Sequence, residues 1–182
     1  MKQIFFFLSF ALWTLSFIIR LSVHIEPVVN DNGGRTNKVV ENIIEAADNN
    51  DDVRTFELIF INNIKGCAIN VLGGVLLSVA TIVNLLINGL AAADVFRSTC
   101  DAGFSLSTML KATLPHSFEL VGFWLSGTVG FMITWQMIRF MTGKEAFSML
   151  VLKQMGTLLF VTVIIILCAA YVEAYISMNI MK

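Results

Sequence analysis

The chain has 182 residues, of which 57% are hydrophobic and only 14% are charged, and its mean hydropathy is +0.79. Soluble proteins average about 25% charged residues, and a soluble domain of this size cannot hide so much apolar surface, so much of this chain must face lipid. The composition excludes a soluble enzyme, a disordered tail and a secreted disulfide scaffold, and a net charge of −1 without a basic block argues against nucleic acid as a partner.

The first apolar run covers 4–23, about the length that a transmembrane helix needs. Lys2 precedes the run, and Arg20 is the one charged residue inside it, with a side chain long enough to reach the lipid headgroups. A secretory signal peptide is the alternative interpretation. The run is long for such a signal and no A-x-A-like cleavage site follows it, so we predict an uncleaved membrane anchor.

The segment 24–57 is polar and acidic. From 24 to 58 the sequence holds eight acidic residues against three basic ones, a net charge of −5. Apolar side chains follow helical spacing at Val39, Val40, Ile43, Ile44 and Ala47. We therefore predict an acidic loop that contains one extramembrane amphipathic helix over 37–47. The run 48–52 is most simply a solvated helix end, because it lacks the spacing of an EF-hand calcium loop.

The region 58–112 is mostly apolar, but it is too long for one simple span and short for two complete ones. Gly73 and Gly74 interrupt it near the middle, and Asn84, Asn88 and Gly89 follow further on. The stretches 90–95 and 102–110 then extend a short second span. Irregular backbone at membrane depth requires cover from protein or contact with water, so we predict an interrupted helical region here.

Two clean spans complete the sequence, over 113–137 and 156–178, and Pro115 stands where the first turn of the former is expected. The link 138–155 holds Arg139, Lys144 and Lys153 against Glu145. Apolar residues at 137–138 and 147–152 predict an interfacial helix within this link. The fold class is therefore all-α, a polytopic transmembrane helical bundle that forms a single membrane domain over 1–182.

Charge distribution constrains the number of spans. With Lys2 inside, the acidic loop lies outside, and the positive-inside tendency puts the basic link 138–155 inside. Because 113–137 crosses once between these points, the region 58–112 must cross an even number of times. We predict two crossings, which gives five spans with the C-terminus outside. An arrangement of four spans with the N-terminus outside also places the link inside and stays open as the alternative.

Two glutamates lie inside the last two spans, where a charged side chain costs about 2.5–3.5 kcal/mol on insertion scales. Glu119 and Glu173 are equally far from the outer ends of two antiparallel neighbours, which predicts the same depth for both. His116 shares a helical face with Glu119, and further polar residues enter the apolar run 58–94 from the same side. The predicted intramembrane polar cluster comprises Asn62, Asn63, Lys65, His116, Glu119 and Glu173.

Small residues continue the helix of Glu119 at Gly122, Ser126 and Gly130, a ridge along which membrane helices pack closely. On the last span, Ala169, Ala170, Glu173 and Ser177 form a matching face. We therefore expect the last two helices to pack together with both carboxylates turned inward.

Three interpretations of the polar cluster stay open. Its members satisfy one another and fix the helix register, or they line a water-filled vestibule for a polar substrate, or His116, Glu119 and Glu173 hold a metal ion. The metal site is the weakest, since no H-E-x-x-H motif and no second nearby histidine occurs. We find no nucleophile–base pair, phosphate loop or dinucleotide fingerprint, so we expect neither catalysis nor a cofactor. We interpret Cys67, Cys100 and Cys168, which lack C-x-x-C spacing, as small core residues.

The order of several short motifs resembles the stage II sporulation protein M family of integral membrane proteins. The motifs are Asn62-Asn63 at the start of an apolar run, Asn88-Gly89 at its end, Leu114-Pro115-His116 with Glu119, and Val172-Glu173-Ala174-Tyr175-Ile176-Ser177. The chain departs from the typical pattern at Ser117, where a glycine is usual, and it lacks the prolines that often follow the glutamate motifs, at 120–121 and at 178.

This resemblance implies a multi-pass α-helical protein without known catalytic activity. The sporulation member organises cell-wall hydrolases in a complex, and some relatives resemble components of circular-bacteriocin export and immunity that act beside an ABC-type ATPase. We therefore expect a non-enzymatic scaffold or subunit of a complex in the cytoplasmic membrane, with other membrane proteins as partners and homo-oligomers as an open question. A permease-like component coupled to a separate ATPase is the alternative.

Overall fold

The computed structural model describes residues 2–23, 38–101, 103 and 106–177, and within these ranges it describes all side chains except those of 40, 106–116 and 177. Every secondary-structure element in the described ranges is helical, as the sequence predicts. The elements are α1 (Lys2–Ser22), α2 (Lys38–Asp48), α3 (Asp52–Gly73), α4 (Val79–Asp101), α5 (Leu106–Met141), α6 (Met149–Val172) and a terminal π-helix (Glu173–Ser177).

Four segments are long and apolar enough to cross a membrane: Lys2–Ser22, Val79–Asp101, Ser117–Met141 and Met149–Ile176. A polytopic helical membrane bundle is thus confirmed, and the predicted number of about five spans is close. The difference lies in α3, which has the length of a span with 22 residues but includes Glu57, Lys65 and three asparagines.

Helix directions explain why α3 belongs to the bundle. α1 and α4 run parallel, since Ser16 lies against Gly89 and, one turn later in both helices, Arg20 contacts Asp94. The chain must therefore return along the bundle between α1 and α4, and α3 makes this return. It is antiparallel to α4 and parallel to α5, which in turn is antiparallel to α6. The five long helices thus alternate in direction.

α1 is fixed against the bundle by aromatic rings and one ion pair. Trp13 contacts Trp124 of α5 edge to face, with ring centroids 5.9 Å apart, and Phe5 stacks on Phe131 at 6.3 Å. The Nε of Arg20 donates to Asp94 Oδ1 at 2.6 Å. α4 thus supplies a carboxylate at the level of Arg20, a partner that the sequence did not predict.

α2 confirms the predicted extramembrane amphipathic helix within one residue at each end. Its apolar side packs on the bundle: Ala46 and Ala47 are buried, and Ile43 contacts the buried Ile59 of α3. The acidic run 48–52 joins the two helices, and Asp51 caps α3 by accepting a hydrogen bond from the backbone N–H of Arg54. The rest of the predicted acidic loop, 24–37, lies outside the described residues.

The interruption at Gly73 and Gly74 is confirmed, because α3 ends there and a five-residue turn, 74–78, leads into α4. Asn84, Asn88 and Gly89 do not interrupt α4, contrary to our expectation. The two asparagines donate hydrogen bonds inside the bundle, and Gly89 lets the backbone of α1 approach closely. Polar residues that break an apolar sequence pattern therefore need not break a helix.

The predicted interfacial helix in the link is wrong. α5 continues to Met141 and α6 begins at Met149, so the apolar stretches at 137–138 and 147–152 belong to the ends of these two helices. The short link is held by Gln136, which accepts from the backbone N–H of Phe147, and by Arg139, which donates to the carbonyl of Glu145. α5 also begins earlier than predicted, at Leu106, so Pro115 lies inside it rather than in its first turn.

Two of the three cysteines do not occupy core positions. Cys67 is buried beside Phe123 and Ile166, as expected, whereas Cys100 and Cys168 are exposed on the surface of the bundle.

Glycines allow the closest helix contacts, and Gly74 gives a direct test. A Cβ at Gly74 would overlap the backbone of Gly130 on α5, while a Cβ at Gly156 meets nothing within 4 Å. We expect Gly74→Val to lower the free energy of unfolding by about 1–3 kcal/mol through overpacking. The measurement is the thermal midpoint in mild detergent, with Gly156→Ala as the control that leaves the midpoint unchanged or raises it. Equal midpoints for Gly74→Val and the wild type would contradict this packing.

Candidate functional site

A carboxylate and an amide meet inside the bundle at the end where α2 lies. Asn63 of α3 and Glu119 of α5 are each 7% exposed, and Asn63 Nδ2 donates to Glu119 Oε1 at 2.5 Å. Because α3 packs parallel to α5, these two side chains lie at the same level along the bundle axis. A hydrogen bond in a low-dielectric interior is electrostatically stronger than the same bond in water.

Glu173 lies at the same end, as the first residue of the π-helix. It is 7% exposed, and the π-helix contacts both α3 and α5, with Ala170 and Ala174 packed on Ile59. Short π-helical segments are rare and occur frequently at functional sites. Both predicted glutamates are therefore turned into the bundle, each on a different helix.

The predicted equal depth of the two glutamates needs a correction. Gly122 of α5 faces Ile166 of α6, and this register places Glu119 opposite the turn that contains Ala169. Glu173 then lies one helical turn, about 6 Å, closer to the end of the bundle. The count took the outer ends of the two apolar runs as level, whereas α5 begins before its run, at Leu106.

Two members of the predicted cluster face outward. Asn62 and Lys65 are exposed, whereas Asn63 between them in sequence is buried. Successive helical residues are rotated by about 100°, so neighbours of Asn63 cannot share its inward direction. The side chain of His116 lies outside the described ones, although its backbone is part of α5.

A second polar group, which the sequence analysis did not assemble, links α3, α4 and α5 at the middle of the bundle. Asn70 is fully buried; its Nδ2 donates to the carbonyl of Phe123 at 3.2 Å and to Ser126 Oγ at 3.0 Å, and its Oδ1 accepts from Asn84 Nδ2 at 2.8 Å. Asn84 also donates to the carbonyl of Gly66, and Asn88 donates to Asn84. The seven-residue spacing from Asn63 to Asn70 was the sequence signal that places both on one face of α3.

The small-residue ridge of α5 contacts three helices rather than one. Gly122 lies against Ile166 of α6, as predicted, but Ser126 and Gly130 lie against Asn70 of α3, and Gly130 also lies against Thr81 of α4. Residues spaced by three and four positions shift gradually around the helix axis, so the ridge does not face a single neighbour along its whole length. On α6, Ala169 and Ala170 are buried beside Glu173, which confirms that face, while the side chain of Ser177 is not described.

Hydrogen bonding and packing dominate the chemistry that these groups offer. In the described part of the chain, no three His, Cys, Asp or Glu side chains come together as a metal-binding group. Asn70, Asn84 and Ser126 satisfy one another and nearby backbone carbonyls, so they fix the register of three helices. The pair Asn63–Glu119 and the buried Glu173 form the part of the interior nearest to the extramembrane α2.

Comparison with known proteins gives a family match. The family model described as stage II sporulation protein M matches residues 3–178. An uncharacterized protein of Methanocaldococcus jannaschii is 26% identical over 125 residues, which cover 67% of this chain and 70% of that protein. No solved structure matches the chain.

Asn70 provides the test of the mid-bundle polar group. Asn70→Ala removes three hydrogen bonds that each contribute about 0.6 kcal/mol in membrane proteins, so we expect the free energy of unfolding to fall by about 2 kcal/mol. Thermal unfolding in mild detergent measures the change. Asn62→Ala, a matched substitution at an exposed position of the same helix, should have little effect. A loss that is equal for both variants would show that Asn70 has no special role.

Proposed function

Because the chain belongs to the stage II sporulation protein M family, we propose that it acts in the cytoplasmic membrane as a non-enzymatic subunit that scaffolds a complex of membrane proteins. The single observation that supports this function most is the fixed position of α2 on the outside of a bundle whose mid-depth polar groups are engaged with one another. Such a bundle is suited to present a surface rather than to perform a reaction.

α2 offers that surface. Ala46 and Ala47 hold it on α3, while Ile44 is 52% exposed and the neighbouring Glu45 is exposed as well. An open groove of about 300 Å³ separates α2 from α3, lined by polar residues and one leucine: Asn42, Glu45, Asn49, Asp51, Arg54 and Leu58, together with Ala46. The strongly acidic composition of 24–58 favours a partner with a basic surface at this position.

Cross-linking from α2 tests the scaffold. A photo-reactive amino acid at position 45 should give a covalent adduct with a different membrane or surface protein in native membranes, because residue 45 is exposed and lines the open groove beside α2. The same group at position 160 is the control, since Phe160 is 68% exposed on the lipid-facing side of α6. Asp48→Lys in the same chain should weaken the adduct at least several-fold, because it reverses an exposed charge on α2 beside position 45.

Two results would contradict this proposal. One is a protein that runs as a lone monomer in mild detergent and gives no adduct from position 45. The other is an adduct with only a second copy of the same chain, which would indicate a homo-oligomer instead of a scaffold for other proteins.

We propose a permease-like component as the second candidate function, supported by the buried Glu119 and Glu173. Buried carboxylates in membrane spans commonly mark the path of a polar substrate or a proton. In this case the chain would pass a peptide or another amphipathic substrate and would depend on a separate ABC-type ATPase, with the basic link 138–155 as the contact for that ATPase.

The double substitution Glu119→Gln/Glu173→Gln distinguishes the two functions. If the chain transports a substrate, export of that substrate, or resistance to it in the cell that makes it, should fall at least tenfold. The amount of the protein in the membrane should stay the same. Asn62→Ala is the control at an exposed position of the same end. Full transport by the double variant would rule out the permease role, and an unchanged cross-link from position 45 would favour the scaffold.

A further inference from the structure

A cleft with two lysines lies at the end of the bundle opposite α2. It is open, has a volume of about 260 Å³, and is lined by Lys2 of α1 and by Leu150, Lys153, Gln154, Thr157 and Leu158 of α6. The cleft forms because α1 and α6 both pack on α5 and barely touch each other. Neither lysine makes an ion pair with any residue that the structure describes.

Both lysines lie at one level along the bundle. Phe5 stacks on Phe131, and Met155 packs on Met132, so Lys2 and Lys153 each fall near the level of Thr134 on α5. Ser78, in the turn between α3 and α4, contacts Thr134 at 2.6 Å and lies at this level too. We take this level as a boundary of the bilayer, because α3 ends and α4 begins here.

α5 and α6 continue past this boundary. α5 ends seven residues beyond Thr134, which corresponds to about 10 Å, and α6 begins at a similar height. Their protruding ends expose Phe140, Met141, Met149 and Leu150, which are between 67% and 76% exposed. The cleft is thus a notch at headgroup depth, with a helical wall of α6 on one side and the first turn of α1 on the other.

The charges at this notch favour an anion. Two ammonium groups can each donate hydrogen bonds to phosphate oxygens. The N-terminal ends of α1 and α6 point to the same side and add the positive end of each helix dipole, with backbone N–H groups of the first turn free of intrahelical partners. Leu150 and Leu158 supply an apolar contact directly beside the charged groups.

We propose that this cleft binds the headgroup of an anionic phospholipid, with its phosphate between Lys2 and Lys153 and an acyl chain against Leu158 in the gap between α1 and α6. Basic notches between transmembrane helices at the membrane boundary are typical sites for such lipids. A diacyl lipid fits better than a free phosphate ion, because the apolar half of the cleft then contacts the chain instead of water.

Native mass spectrometry of the full chain in detergent tests this site, with phosphatidylglycerol and phosphatidylcholine of the same acyl chains as probes. We expect phosphatidylglycerol to bind at least tenfold more tightly than phosphatidylcholine. Lys2→Gln/Lys153→Gln should weaken phosphatidylglycerol binding about tenfold to thirtyfold, since each lysine near anionic lipid contributes a several-fold effect. Lys144→Gln, which removes a lysine from the same end but outside the cleft, should leave the affinity unchanged.

Further experiments distinguish a lipid phosphate from free inorganic phosphate and provide additional variants. Inorganic phosphate at millimolar concentration should not displace the lipid, and Leu158→Ala should weaken lipid binding. If the double variant does not fold, Lys153→Gln alone, a substitution at an exposed position, replaces it in the lipid-binding measurement. Equal affinity for the two lipids, displacement by inorganic phosphate, or an unchanged affinity in the lysine variants would overturn the proposal.

Discussion

A polar group inside a bilayer must find its hydrogen-bond partner within the protein, and the amide of Asn70 shows how this bundle meets that requirement. Through it, α3 is bonded to α4 and α5 at a depth where water does not compete. α3 has too many polar side chains to lie in lipid alone, and its neighbours cover Asn63 and Asn70. The alternating order of the five long helices depends on this, because α3 is the segment that returns the chain from the end of α1 to the start of α4.

Much of the fold follows from simple patterns in the sequence. Apolar runs predict the long helices, and Gly73-Gly74 predicts the turn between α3 and α4. The helical spacing of Val39, Val40, Ile43, Ile44 and Ala47 predicts α2. Hydropathy alone does not predict the structure where a polar side chain finds a hydrogen-bond or ion-pair partner inside the bundle. Asn84 stays helical because Gly66 and Asn70 of α3 accept its hydrogen bonds, and Asn88 donates to Asn84 within α4. Arg20 has a carboxylate partner that lies 74 positions away.

The candidate site was predictable in composition but not in arrangement. A carboxylate inside a membrane span is energetically costly, and this cost alone marks Glu119 and Glu173 as candidate site residues. Which amide meets which carboxylate depends on rotation about the helix axis, and so Asn63 faces Glu119 while Asn62 does not. The sequence did not predict the central position of α3 between α4 and α5, because no local pattern encodes it. The two ends of the bundle also differ in character, with acidic groups and buried carboxylates at the α2 end and lysines at the other.

The turn between α3 and α4 has a consequence for how the protein is made. Its five residues are mainly apolar, and Val75, Leu76 and Leu77 are more than half exposed, so no polar loop has to be moved across the bilayer at this point. α3 is the least apolar of the five long helices relative to its length, whereas α4 is apolar enough to partition by itself. We therefore expect α3 to leave the translocation machinery only together with α4, as a helical hairpin, and to be held there until α5 arrives to cover Asn63 and Asn70.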